Sequence, residues 1–311
     1  MISVFNAHKS YGKVRAVRGV GFELERGQVA GLLGPNGAGK STTIRMITGF
    51  LPPDAGSITV GGHDIVTDPI AARAQMGYLP ESAPLYPEMT PTGYLTFRAK
   101  LHGMPRRERA AAVGKAMDRC SLGEMANRRI GQLSKGYKQR VGLAAALVHD
   151  PPVIILDEPT NGLDPTQIRE TRRFIRELAV DHTMLVSSHI LPEVELLCDR
   201  VIIVAGGRVR ADGKPDDLAA GEGSAYLVEI NSDDRGWVRG LKGVASATGH
   251  PSDGAWWKWR LVAAPDSGDL REPIAAAARG ADHTVRELRR DKPTLENFFI
   301  NVVNRAEEGD A

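Results

Sequence analysis

Residues 34–42 read Gly-Pro-Asn-Gly-Ala-Gly-Lys-Ser-Thr, and no other stretch of the chain restricts its fold so tightly. The spacing G-x-x-x-x-G-K-[ST] is that of a loop whose backbone N–H groups turn inward around phosphate oxygens. Such a loop needs a strand before it and a helix after it, because the helix offers the positive end of its dipole to the anion. Residues 28–33 supply an apolar strand, and from Lys40 onward Ile44, Ile47 and Leu51 recur at helical spacing. Gly34, Asn36, Gly37 and Gly39 form the cradle, Lys40 reaches the terminal phosphates, and Ser41 and Thr42 stand where a hydroxyl can meet a divalent cation. A dinucleotide-binding turn is the nearest rival, since Asp54 follows the loop at a suitable distance. Its pattern is G-x-G-x-x-G, whereas this loop reads G-x-x-G-x-G, and the rival leaves Lys40 and Ser41 without a role.

The rest of the first two thirds of the chain agrees with a parallel sheet crossed by helices. Apolar runs at 152–156, 183–187 and 201–204 alternate with helical stretches at 137–148 and 166–179. The run Val153-Ile154-Ile155-Leu156 ends in Asp157-Glu158, which places two acids at the carboxyl end of a buried strand, where ligands of such sheets sit. There Asp157 can hold Mg²⁺ or its waters and Glu158 can polarise an attacking water. Residues 84–129 change to Ala, Arg, Met and Lys and predict a helical insertion, with an exposed amphipathic helix over 106–117.

Two more features narrow the choice. Leu133-Ser134-Lys135-Gly136-Tyr137 opens a helix, so Ser134 and Gly136 offer a second anion site, and His189 follows the strand at 183–187 within reach of a terminal phosphate. In this order the motifs over residues 1–215 resemble the nucleotide-binding subunit of ATP-binding cassette (ABC) transporters. The resemblance implies an α/β cassette of the phosphate-loop NTPase (RecA-like) class with an antiparallel β subdomain and a helical subdomain at about 84–135. It implies ATP and Mg²⁺ as ligands, with Tyr11 stacking on adenine, Ser41 and Asp157 at the metal, Glu158 as catalytic base, His189 as switch histidine and Asp164 in the subunit-contact loop. In the family each signature motif faces the ATP of the other cassette, so this chain is expected to pair with a second one, most simply its own copy.

Three departures from the family pattern stand out. Glu81, in Gly77-Tyr78-Leu79-Pro80-Glu81, occupies the place of the usual Gln in the loop joining the metal site to the helical region; it is a third metal candidate that also adds negative charge. The usual L-S-G-G-Q appears as L-S-K-G-Y. The run Pro293-Thr294-Leu295-Glu296-Asn297-Phe298-Phe299 resembles the close of subunits that serve ABC-2-type exporters for gliding motility, sodium efflux or antibiotics. That resemblance implies an ATPase powering export through a separate membrane permease. A nucleic-acid or ribosome ATPase is the alternative, and a nucleotide sensor without hydrolysis is a third reading that Glu158 and His189 disfavour.

Composition fits the leading reading. The 40 Lys and Arg nearly balance 38 Asp and Glu, so no net field calls for nucleic acid. No apolar run approaches the roughly 20 residues a membrane span needs. With two cysteines and no leader-like start, the expected place is the cytoplasmic face of the membrane, with the chain peripheral to it. Cys120, Cys198 and the histidines other than His189 lack metal-ligand spacing, and Arg106, Arg107 and Arg109 read as a solvated helix face. The expected domains are 1–218 and 219–311, joined by a linker at 219–224. Beyond it, strands at 226–230, 244–248, 256–263 and 284–288, helices near Trp237 and at 270–278, and a last helix from Leu295 resemble a small α+β, ferredoxin-like βαββαβ domain. All four tryptophans fall here, and Trp257 is expected on the opposite strand face from Trp256 and Trp259.

Overall fold

A computed structural model describes residues 1–220, 224–264, 267–291 and 294–309. The chain divides into two compact units, one of Met1–Pro215 together with residues from Val302 on, the other of Asp216–Asn301. In chain order the first unit contains β1 Ile2–Tyr11, β2 Val14–Leu24, β3 Val29–Leu33, α1 Lys40–Ile47, β4 Ala55–Val60, β5 His63–Asp64, α2 Pro69–Ala74 and β6 Met76–Leu79. It continues through α3 Pro91–Leu101, α4 Arg106–Arg119, α5 Lys135–Leu147, β7 Val153–Asp157, α6 Pro165–Ala179, β8 Thr183–Ser187, α7 Leu191–Leu197, β9 Arg200–Ala205 and β10 Arg208–Gly213.

Strands β3, β7 and β8 are buried along their whole length, as short apolar strands covered on both faces must be. They lie in a six-stranded sheet of order β10-β9-β3-β8-β7-β6, parallel except where β10 closes the edge against β9. Register decides where the chemistry falls. Leu32 pairs with Ser187, and Ser187 pairs with Asp157, so the loop after β3, the acids after β7 and the residues after β8 leave the sheet along one edge. A second sheet, β2-β1-β4-β5, is antiparallel. Its inward residues Val4, Val20, Phe22 and Ile58 share a core with Leu32, Ile155, Leu185 and Ile202 of the parallel sheet and with Ile44 of α1.

The helical region is α3, α4 and the start of α5. Thr90 caps α3 by accepting from the Gly93 N–H, with Pro91 in the first turn, where its missing N–H costs nothing. Helix α4 covers the expected amphipathic stretch and buries Val113, Ala116 and Met117. Gly77–Leu79 form β6, a parallel strand paired with β7 and not expected from the sequence, and the residues after Leu79 form the loop that carries Glu81. A glycine followed closely by a proline imitates turn composition, and the pairing with β7 overrides it.

The second unit begins with α8 Pro215–Ala220 and continues with β11 Ala225–Ile230, β12 Val244–Pro251, β13 Trp257–Ala263, α9 Arg271–Gly280, β14 Val285–Asp291 and the start of α10 Leu295–Gly309. Its sheet has the order β12-β13-β11-β14 and every pairing is antiparallel. Tyr226, Val228, Trp237, Trp259, Leu261 and Ile274 form its core. Three expectations are corrected. Ala219 and Ala220 end a helix instead of opening a linker, while residues 221–223 of that linker lie outside the described residues. The helix near Trp237 is a single 3-10 turn, Gly236–Val238. Trp257 and Trp259 share one face of β13, their ring centroids 6.5 Å apart, because residues two apart on a strand point the same way; Trp256 precedes the strand. Pro293 also lies outside the described residues.

Candidate nucleotide site

The loop between β3 and α1 is shaped by glycine. At Gly39 the backbone turns through φ 104°, and a Cβ there would stand 2.5 Å from the Ala16 carbonyl oxygen, so no other residue fits without moving β2. Asn36 and Gly37 are exposed at the loop tip, while Gly34 and Gly39 are buried. Lys40, 8% exposed, bends back over the loop and donates to the carbonyls of Gly34 and Pro35. Burial pushes its ammonium below the usual lysine range, and the negative charges of Glu158 and then Asp157 oppose that shift. The cation thus lies in the field of both acids. Ser41 is exposed and Thr42 half-buried at the open end of α1.

Asp157 ends β7 almost buried, at 9% exposure, and accepts a 2.6 Å hydrogen bond from Ser187 Oγ. Desolvation holds its carboxyl above the ordinary range; the Ser187 bond opposes this, and the nearby Glu81 charge adds to it. Glu158 follows with a left-handed backbone, φ 49°, fixed by its N–H, which donates to Ser187 Oγ at 3.0 Å and to the Ser187 carbonyl at 3.2 Å. Its Oε2 lies 2.8 Å from His189 Nδ1. Loop, acids and imidazole therefore converge on one edge of the parallel sheet.

The metal candidates converge as well. Ser41, Glu81 and Asp157 line one cavity of about 840 Å³, to which Tyr11, half-exposed at the end of β1, also contributes. A buried carboxylate destabilised by a second carboxylate is a donor set short of positive charge, and hydroxyl and carboxylate oxygens suit Mg²⁺. Glu81 has a further partner, since its Oε1 accepts from Asn161 Nδ2 at 2.8 Å.

Ser134 and Gly136 are not among the residues lining this cavity and stand at the N-terminus of α5. Ser134 caps the helix by accepting from the Tyr137 N–H, and Gly136 lies against Gln167 of α6. Asp164 caps α6 by accepting from the Thr166 and Gln167 N–H groups, both at 2.9 Å. Sequence reasoning missed four residues of this neighbourhood: Ser187, Asn161, and the buried pair Thr160 and Glu193, whose side chains hydrogen-bond between the segment after β7 and α7. Ser187 alone left a signal, a hydroxyl closing an apolar strand. Among the described residues no helix is long and apolar enough to cross a membrane.

A phosphate loop, a strand-end acid pair and a capped second anion helix on a mixed α/β core define a nucleotide-hydrolysing cassette. The model of the ABC transporter family matches residues 17–161. The chain is 36% identical to the linearmycin resistance ATP-binding protein LnrL of Bacillus subtilis, over 98% of this chain and 99% of that one. It is 42% identical to the ABC transporter ATP-binding protein NatA of the same organism, over 69% of this chain and 88% of NatA. Among solved structures it is similar to the dimeric bacterial ABC transporter cassette MJ0796, with TM-score 0.63 and 25% identity over 69% of this chain and 98% of that one. The chain belongs to the ABC transporter family, as an ATP-binding subunit of the ABC-2-type exporter branch. It is an ATPase.

Proposed function

We propose that the chain works as one half of a cassette pair, most simply a homodimer, at the cytoplasmic face of a membrane, where it drives export through a separate permease. The observation that carries this reading is the convergence of Lys40, Asp157, Glu158 and His189 on one sheet edge, while Ser134 and Gly136, at the start of α5, do not line the cavity that holds Ser41, Glu81 and Asp157. One chain thus holds a phosphate loop with its acids, plus a second anion-binding helix start that serves a nucleotide held elsewhere. The dimeric relative MJ0796 supports the pairing.

In this reading Tyr11 stacks on adenine, and Gly34, Asn36, Gly37, Gly39, Lys40 and Thr42 hold the phosphates. Ser41, Asp157 and Glu81 hold Mg²⁺, which when bound offsets the charge gathering on the transferred phosphoryl group. Glu158 orients and deprotonates the attacking water, and His189, 2.8 Å from it, keeps the carboxylate aimed. Ser134 and Gly136 of the partner subunit close over the γ-phosphate. The cavity that carries Glu81 extends past Phe50, Tyr78, Tyr94 and Arg98, and a cytoplasmic segment of the permease fits there, because Phe50 is 70% exposed beside it. The proposed division is an ATPase domain followed by an accessory domain. The order β12-β13-β11-β14 with all-antiparallel pairing supports a ferredoxin-like reading of the latter, a 3-10 turn replacing its first helix.

Glu158→Gln removes the base and keeps the shape. It should lower turnover by at least about 100-fold while leaving ATP affinity intact, and should trap an ATP-dependent dimer visible by light scattering. Rapid turnover by that variant would sink the assignment. Mixing Ser134→Arg with Lys40→Ala chains tests the shared sites, since a hybrid dimer keeps at most one competent site.

A further inference from the structure

The third residue of the motif at α5 is Lys135, where the family pattern has glycine, and nothing in the ATP chemistry above employs it. Its side chain crosses to the segment after β7. The ammonium nitrogen lies 2.0 Å from the position a Cβ on Gly162 would take, and Gly162 turns with φ 68°, so Lys135 rests directly over a backbone that only glycine accommodates. Among the described residues no carboxylate pairs with Lys135, so no ion pair accounts for its seat.

Two neighbouring contacts run the same way. Gln139 Nε2 donates to the Pro159 carbonyl at 3.0 Å, and Gly136 packs on Gln167, where a Cβ would meet Oε1 at 2.8 Å. The first turns of α5 therefore meet residues 159–167 at three points, one of them a hydrogen bond and two of them close packing. That segment is itself stiff. The Asn161 N–H donates to the Glu158 carbonyl at 3.1 Å and the Leu163 N–H to the Thr160 carbonyl at 3.2 Å, while Glu193 holds Thr160, Glu81 holds Asn161, and Asp164 caps α6. A short segment with this many ties moves as a unit.

We propose that Lys135 is a positioning residue that couples the two ATP sites of the cassette pair: seated over Gly162, it fastens the helix start that faces one ATP to the segment running on from Glu158, which acts on the other. The inference rests on the paired-cassette reading. When α5 is drawn toward the partner's nucleotide, the tie carries the displacement to the backbone of Glu158. Glycine at position 135 would leave that path to the Gln139 hydrogen bond and the packing of Gly136 on Gln167.

The test uses the full chain and steady-state hydrolysis as a function of ATP concentration. Lys135→Ala should lower kcat about tenfold and bring the Hill coefficient from about 2 toward about 1, with affinity for a fluorescent ATP analogue, read on isolated subunits, unchanged within about twofold. Lys135→Arg, which keeps a cation on a stem of similar reach, should restore cooperativity. Gly162→Ala should cost several-fold more in the parent chain than when added to Lys135→Ala, because the strain at φ 68° falls on both backgrounds and the obstructing ammonium only on the parent. Equal cost in both backgrounds, or a Lys135→Ala chain with parental kcat and Hill coefficient, overturns the inference while an ATP-dependent Glu158→Gln dimer keeps the paired reading standing. If that dimer does not form, the paired reading falls and takes this inference with it.

Discussion

Ser187 shows how much of the site one hydroxyl organises. It donates to Asp157 and accepts from the Glu158 N–H, and so fixes a buried carboxylate and a left-handed backbone together. Ser187→Ala leaves Asp157 without its donor and should cost about 2 kcal/mol of stability, measured by denaturant unfolding, with a fall in turnover as Glu158 loses its anchor. A second residue gives a pH prediction. His149 stacks on His102 with ring centroids 3.7 Å apart, and Nε2 donates to the Met76 carbonyl, while Nδ1 is buried with no hydrogen-bond partner among the described residues. Burial above all, then the neighbouring His102, pushes the His149 imidazole down to about 4; Arg98 adds to this, and the Met76 bond and Asp150 oppose it. The folded chain then binds fewer protons than the unfolded one between about 4 and 6.5, so this contribution is complete above 6.5 and is lost as pH falls toward 4. The loss should be about 3 kcal/mol, read as a falling Tm, and His149→Gln, which can still donate to Met76, should flatten much of the slope. Neither residue was legible in advance. Ser187 ends a strand like many serines, and His149 carries no motif, its environment being made by α3 and β6, which are distant in sequence.

At the scale of elements, local signals placed what local chemistry controls. The starts of α1 and α5 are readable because a glycine loop and Ser134 are helix-start chemistry, whereas the cap that Asp164 gives α6 emerges only in the structure. Asp164 satisfies two otherwise unpaired N–H groups, so Asp164→Ala should cost about 1 kcal/mol, with Asp164→Asn recovering most of it in the same unfolding experiment. The strands of the parallel sheet were readable from apolar runs alone. β6 was not, since Gly77 and Pro80 imitate a turn and only pairing with β7 makes it a strand. Strict alternation sets the tryptophan faces of β13, against the expectation of opposite faces, and Trp237 sits in a single 3-10 turn because an aromatic at a loop end carries no helical period.

For the whole molecule the separation of cores has a measurable consequence. One core joins the parallel and antiparallel sheets, and the other packs Tyr226, Trp237 and Trp259 beneath α9. All four tryptophans, Trp237, Trp256, Trp257 and Trp259, lie in the second unit. Tryptophan fluorescence should therefore follow that unit's unfolding, and calorimetry should show a further transition. ATP with Mg²⁺ at 100 times its Kd should stabilise the nucleotide-binding unit by about 2.7 kcal/mol and leave the fluorescence transition in place; a common shift of both would mean that the units unfold as one. The sequence by itself determined the phosphate loop, the acid pair, the signature helix start and the histidine, because each is a local pattern whose chemistry depends on spacing of a few residues. Only the tertiary structure decided that Ser187 binds Asp157, that Asn161 holds Glu81, that His149 is buried against His102, and that Lys135 rests on Gly162. Those contacts join residues brought together by strand register and helix docking, and the physical reason they escape a linear reading is that register and docking are set by burial summed over whole faces and not by the residues that happen to meet.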